Sequence, residues 1–203
     1  MQAASDKADP TLSPRDPVVS FDDEPLILVD GDDAILGYGS KDTCHDGEGR
    51  LHRAFSVFLF DSQGRVLLQQ RAAGKRLWSL FWANACCSHP RRGEETEAAA
   101  YRRAREELSA TPAELLYLFK FEYHARFGEA GSEHELCWVF AGRWDEAIAP
   151  NANEVAAWKR VEPEELDRDI DAHPEHYTPW LKMEWARMRS EFWPRIKTLW
   201  ETH

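Results

Sequence analysis

The fold turns on the run Leu51-His52-Arg53-Ala54-Phe55-Ser56-Val57-Phe58-Leu59-Phe60, followed by Asp61-Ser62-Gln63-Gly64 and then Val66-Leu67-Leu68-Gln69-Gln70. Residues 52–60 alternate as a strand does, 61–64 supply a turn and 66–70 return as the partner, so the stretch predicts a β-hairpin. Working outward, 26–29 is a short apolar run closed by Asp30-Gly31-Asp32-Asp33, and 34–38 returns beside it as a second hairpin. A loop then carries Lys41 and His45. Downstream, 71–81 is basic and aromatic without a period, and 82–89 leads through Pro90 into a loop at Gly93. Residues 94–108 are Ala-rich with acids crowded at the start, which predicts a helix ended by Thr111-Pro112. Strands follow at 115–126 and 135–141, joined through Gly128 and Gly131, with another at 154–161. Pro163 opens a helix to Ile170, and 178–200 reads as helix with an aromatic side from Trp180, Trp185, Phe192 and Trp193. This order predicts an α+β sandwich around a mixed sheet, with 1–22 a flexible tail and 23–203 a single domain.

Composition narrows the function. With 203 residues, 43% hydrophobic and 30% charged, the chain can bury a core without disulfide or metal staples. Its longest apolar run, 54–60, is broken by Ser56 and is far short of the roughly 18 to 20 residues of a membrane span. The 36 acidic against 25 basic residues leave a charge of −11, which repels a nucleic-acid backbone. A small anionic ligand stays compatible, because clustered bases dominate the field within about 8 Å at physiological salt. Residues 1–20 carry no secretory signal and neither end a lipidation consensus, so the expected compartment is the cytoplasm. There Cys44, Cys86, Cys87 and Cys137 are expected as thiols. Cys86 and Cys87, being adjacent, point to opposite sides of an extended chain.

Two groups of residues carry chemistry. His45 and His52 flank the first main strand, His89 follows Cys87 by two, and Glu133 and Glu135 are two apart, a spacing that presents both to one side of a strand. Three imidazoles and two carboxylates converging from three segments would bind a divalent metal, the mixed N/O set suiting zinc, manganese or iron better than magnesium; singly, each His is as well explained by hydrogen bonding. On the helix, Arg103 and Glu107 share a face. They form either a surface ion pair or a diphosphate site in which Arg103 donates to the oxygens and Glu107 holds magnesium. Lys41, Arg71, Lys75 and Arg76 add positive charge nearby.

The ordered set Leu51-His52-Arg53-Ala54-Phe55-Ser56, Arg71-Ala72 to Lys75, Trp78, Trp82-Ala83-Asn84-Ala85-Cys86-Cys87-Ser88-His89-Pro90, Arg102-Arg103 to Glu106-Glu107-Leu108 and Glu133-His134-Glu135-Leu136-Cys137 closely resembles type I isopentenyl-diphosphate isomerase, from about Leu26 to Trp180. The resemblance implies a Nudix-like α/β/α sandwich with a mixed sheet. It implies interconversion of isopentenyl and dimethylallyl diphosphates, a step of isoprenoid biosynthesis, with small allylic and homoallylic diphosphates as partners, and neither nucleic acid nor membrane. It implies a first metal site of His45, His52, His89, Glu133 and Glu135, and Glu107 as ligand of the magnesium on the diphosphate. The cofactors would be Mg2+ bridging the diphosphate and one further divalent ion, Mn2+, Zn2+ or Mg2+. By the same resemblance Cys87 is the catalytic cysteine, with Cys86 packed behind it. Glu135 is the catalytic carboxylate, Tyr123 its hydrogen-bonding partner and Trp180 the aromatic of the pocket. Lys41, Arg71, Lys75 and Arg103 bind the diphosphate.

Two departures from the Nudix box stand out. Arg102-Arg103 occupies the place of its Arg-Glu pair, exchanging a hydrolytic metal ligand for a phosphate clamp, and Ser109 stands where Gly follows the closing Glu-Leu. The first favours retention of the diphosphate over cleavage. The second puts a serine where a left-handed helix exit is expected. A Nudix hydrolase of nucleotides and a metal-stabilised binding module are the rival readings.

Overall fold

A computed structural model describes residues 16–201. Of the predicted tail, 1–15 lie outside the described residues, and 16–22 run beside the loop 151–154 and the helix α2 defined below. Five sequence-derived strands appear as β1 (Pro25–Val29), β2 (Ile35–Ser40), β3 (His52–Phe60), β4 (Val66–Arg71) and β7 (Leu115–Arg126). β8 (Ser132–Arg143) begins three residues before the expected start, so Glu133 and Glu135 both stand on it; β9 is Val155–Val161. Residues 82–89, read only as a lead into a loop, hold two short strands, β5 (Trp82–Asn84) and β6 (Cys86–Ser88). Lys41 and His45 sit on a one-turn helix, α1 (Lys41–His45), too short for any periodicity to reveal. The other helices are α2 (Thr96–Leu108), α3 (Pro163–Ala172), α4 (Pro179–Arg187) and α5 (Trp193–Glu201), the last two joined through a π-helical turn over Met188–Phe192.

The 52–70 hairpin is corrected in an instructive way. Its turn forms as read, with Gly64 N donating to Asp61 O at 2.9 Å and Asp61 Oδ1 accepting from Gln63 N and Arg65 N. Yet the strands pair only at Phe60 and Val66 before parting. β3 is buried along nearly its whole length, so it needs neighbours on both edges, and it takes β8 in parallel over nine positions and β6 antiparallel. β4 instead pairs with β5 and β9. All nine strands form one mixed sheet.

The alternation of β3 divides the interior. Phe55, Val57 and Leu59 pack with Ala99, Ala100 and Leu108 of α2 on one face. Phe58 and Phe60 pack with Leu181 and Trp185 of α4, Met188 of the π-helical turn and Ile196 of α5 on the other. Helices therefore cover both faces, as the sequence order predicts. Among the described residues no helix is long and apolar enough to cross a membrane.

Ser109 adopts the left-handed conformation at the end of α2, with φ 56° and ψ 24°, and its N–H donates to Arg105 O at 3.0 Å. Ser109→Gly is expected to raise unfolding stability by about 0.5–1 kcal/mol, because glycine carries no Cβ penalty there. Urea denaturation measures it, and an unchanged or lower midpoint would show that the weak Ser109 Oγ to Ala149 O contact at 3.3 Å matters more.

Candidate active site

The even-numbered face of β3 runs from chemistry to core: His52, Ala54 and Ser56, then Phe58 and Phe60. Pairing sets what stands beside each. β8 brings Glu135 opposite His52 and Cys137 opposite Ala54, β7 brings Tyr123 opposite Glu135, and β6 brings Cys87 opposite Ser56. Because side chains of paired residues share a face, the four strands β6, β3, β8 and β7 present one continuous strip. α1 adds His45, and the chain leaving β6 adds His89.

His45, His52, His89, Glu133 and Glu135, all buried, offer ligand atoms within 4.8 Å of one another. His45 Nε2 lies 2.8 Å from Glu133 Oε2, and His89 Nε2 lies 3.2 Å from both His52 Nε2 and Glu135 Oε1. The opposite ring atoms decide what this arrangement fits. Nδ1 of His45 is 2.6 Å from Lys41 O, and Nδ1 of His52 is 2.7 Å from Arg50 O, so each ring is anchored through an Nδ1–H and turns Nε2 inward. A divalent cation can take the place of protons between these inward-facing Nε2 atoms and the carboxylates.

The carboxylates act on the imidazoles in turn. Burial works against a charge on His45, but the adjoining Glu133 carboxylate outweighs it and lifts the ring to about 9. Burial and the two neighbouring imidazoles hold His89 far below the ordinary range. Burial pushes the Glu135 carboxyl up, yet His52, Tyr123 and His45 more than compensate and hold it below the usual carboxylate value. Tyr123 Oη donates to Glu135 Oε2 at 2.7 Å.

A cavity of about 470 Å3 opens over this strip. Of the residues singled out from sequence, Lys41, His45, Arg71, Lys75, Cys87, His89, Arg103, Tyr123, Glu133, Glu135 and Trp180 all line it. His52 lies beneath, fully buried. Glu107 does not line the cavity; it sits behind Arg103, whose Nη2 donates to Glu107 Oε1 at 2.6 Å. The bases gather at one end, where Glu154 pairs with Lys75 and lies 3.6 Å from Arg103. Burial and the neighbouring Lys75 lower the Lys41 ammonium. Segment 16–22 borders the same end: Arg103 donates to Val19 O and Lys41 to Ser20 Oγ.

At the apolar end Cys87 Sγ donates to Asn84 Oδ1 at 2.8 Å and accepts from Trp180 Nε1 at 3.0 Å. Burial, with the Glu184 carboxyl adding to it, pushes this thiol well up. Cys86 points the other way, fully buried in the α2-side core, as the opposite-sides rule requires. All four cysteines are free thiols. Trp180 meets Trp78 edge-on at 5.4 Å, and the Arg71 guanidinium stands 5.2 Å from its ring.

Residues 50–181 match the NUDIX domain family. Isopentenyl-diphosphate Delta-isomerase 2 of Aromatoleum aromaticum is 44% identical over 159 residues, covering 78% of this chain and 83% of that protein. The isopentenyl-diphosphate Delta-isomerase of Nocardia farcinica is 46% identical over 158 residues, 77% and 90% of the two chains. The chain belongs to the isopentenyl-diphosphate Delta-isomerase family of Nudix proteins. Solved structures agree on the fold: DR0079 of Deinococcus radiodurans superposes with a TM-score of 0.67 at 25% identity, covering 81% of this chain and 98% of that one. The MutT protein of Methanosarcina mazei, at 14% identity and a TM-score of 0.53 over 70% and 96%, shares the fold alone. The Nudix-like sandwich implied by the sequence motifs is the fold of this family member.

Sequence reasoning passed over Ser56, Asn84, Glu154 and Glu184. Asn84 and Glu154 carried no signal in a single sequence. Glu184 did: Trp180, Leu181, Glu184, Trp185 and Met188 form one buried stripe at helical spacing, and an acid within an apolar stripe is out of place.

Proposed function

We propose that this Delta-isomerase family member interconverts isopentenyl and dimethylallyl diphosphates by protonation and deprotonation through a tertiary carbocation. Moving an unactivated double bond by one position adds a proton at the terminal methylene and removes one from the carbon next to the diphosphate-bearing carbon. Two proton-transfer groups must reach a flat hydrocarbon, and water, which would capture the cation, must be kept away. The observation that carries this reading is that Cys87 and the Glu135–Tyr123 pair line the same cavity, with Trp180 and Trp78 beside the sulfur and the bases at the other end.

Turnover towards dimethylallyl diphosphate needs a proton on Glu135, hydrogen-bonded to Tyr123, for the alkene and a thiolate at Cys87 for the allylic proton, the opposite of the distribution that burial and hydrogen bonding favour without substrate; the reverse direction exchanges the roles and starts from that favoured distribution. The Trp180 ring faces the developing positive charge, a contact of about 2 kcal/mol when desolvated. Lys41, Arg71, Lys75 and Arg103 grip the diphosphate, and Arg103, in the place of a hydrolytic carboxylate, keeps it intact. Glu107, paired behind Arg103, would reach a magnesium ion on the diphosphate only if that ion pair opened, and would then supply it with one carboxylate. His45, His52, His89, Glu133 and Glu135 hold a second divalent ion, for which the donor set suits zinc or manganese better than magnesium. When bound, the ion of the histidine cluster would hold the Glu133 and Glu135 carboxylates, and the magnesium would neutralise diphosphate charge.

A phosphate-release assay with isopentenyl diphosphate and several nucleotides separates this reading from Nudix hydrolysis. Isomerised diphosphate with no released phosphate or nucleoside monophosphate is the expected result. Hydrolysis without isomerisation would replace the proposal.

A further inference from the structure

Beneath the cavity floor lies a buried carboxyl group that the reaction above does not use. Glu184 is fully buried on α4, one turn beyond Trp180. Its Oε1 accepts from Cys137 Sγ at 3.4 Å, and its Oε2 has no hydrogen-bond partner among the described residues. Ser56 Oγ lies 3.3 Å from Cys87 Sγ and 3.5 Å from Cys137 Sγ, so this hydroxyl joins the reacting sulfur to the pair below. Ser56 is also close enough to Glu184 for its hydroxyl to lower that carboxyl as a hydrogen-bonding neighbour.

A serine hydroxyl has one proton and two lone pairs, and the state of its neighbour decides where the proton points. Beside a carboxylate, the Ser56 proton turns to that carboxylate and Cys87 receives only a lone pair. Beside an un-ionised acid, the acid donates to Ser56 and the Ser56 O–H is free for the sulfur. We infer that Glu184 is a positioning residue: as a neutral carboxylic acid it donates to Ser56 and thereby directs the Ser56 O–H, together with Trp180 Nε1–H, at the Cys87 sulfur when that sulfur carries negative charge. The inference rests on the isomerase reading and adds to it a residue that never touches substrate.

Burial pushes the Glu184 carboxyl up to about 8, a cost that Ser56 and Cys137 recover only in part. The groups facing it are Ser56 of β3, Cys137 and, farther off, Glu135 of β8, and Cys87 of β6; Glu135 adds to the upward push. At neutral pH the folded chain therefore keeps a proton that the unfolded chain releases near 4.5. Stability of the wild type must fall relative to a Glu184→Gln variant as pH rises from about 4.5 to about 8.

The test measures isopentenyl diphosphate turnover and thermal midpoint across this range for the wild type, Glu184→Gln, Glu184→Leu and Ser56→Ala. Glu184→Leu and Ser56→Ala are each expected to lower kcat about tenfold with little change in KM, a general-catalysis effect lost through the hydrogen-bond chain. Glutamine, whose amide also donates, is expected to recover most of that loss and to carry activity to higher pH than the wild type. The midpoint difference between Glu184→Gln and wild type is expected to widen from pH 4.5 to 8. Wild-type kcat in the leucine variant, a glutamine variant as slow as leucine, or a midpoint difference that does not change with pH would each overturn the inference. If leucine prevents folding, the Ser56→Ala and glutamine arms decide alone. A wild type without turnover would overturn the isomerase reading and this role with it, whereas turnover without the predicted variant pattern would overturn the role only.

Discussion

Cys87→Ala is expected to lower isomerisation by about 10²–10⁴-fold, the usual contribution of one positioned proton-transfer group, while leaving the fold intact. The side chain lines the cavity and has hydrogen-bonding contacts to Asn84, Ser56 and Trp180, none of which depends on sulfur for its own place in the sheet or helix. The informative control is its neighbour. Cys86 is fully buried on the α2 side and faces away from the cavity, so Cys86→Ala is expected to leave turnover within about twofold and to cost only the packing of one small atom, about 1 kcal/mol. Steady-state kinetics on the two variants distinguishes them. A silent Cys87→Ala would move the base elsewhere, and a dead, folded Cys86→Ala would show that the other sulfur acts.

Glu135→Gln is expected to produce a loss of the same order, for two reasons that can be separated. The carboxyl accepts from Tyr123 at Oε2, and its Oε1 meets His89 and His52 among the clustered ligands. Tyr123→Phe removes the hydroxyl but none of the clustered ligand atoms, so it should reduce kcat by a smaller factor at unchanged metal content. His45→Ala removes a cluster member without touching Tyr123, so it should lower metal content as well as activity. Metal analysis of each purified variant beside its kinetics checks this. Full activity in Glu135→Gln would remove the carboxyl from the reaction.

Much of the site was legible because strand chemistry repeats every second residue. Glu133 and Glu135, or Cys87 and His89, can be assigned to one side before any coordinates exist, and motif order supplied the partners from distant segments. What spacing could not supply was the neighbour across each strand. The parallel pairing that sets Glu135 beside His52 joins segments more than eighty positions apart in sequence. The same limitation explains the 52–70 hairpin. Its turn residues act locally and were read correctly, whereas the pairing of a strand buried on both faces is decided by other strands. Glu107 shows a third kind of limit: its i,i+4 relation to Arg103 held, but helix spacing says nothing of which of the two faces the cavity. Glu184 was visible as an acid in an apolar stripe, and only the coordinates show which hydroxyl and thiols surround it.

Isomerisation is decided by proton traffic at two carbons of one small diphosphate. Proton NMR of isopentenyl diphosphate incubated with the protein and magnesium in deuterated water observes both carbons directly. The predicted result is dimethylallyl diphosphate with deuterium in a methyl group and, on reversal, at the carbon next to the diphosphate-bearing one, with the diphosphate intact. Unchanged substrate with no deuterium at either carbon, or released phosphate without an allylic product, would contradict it.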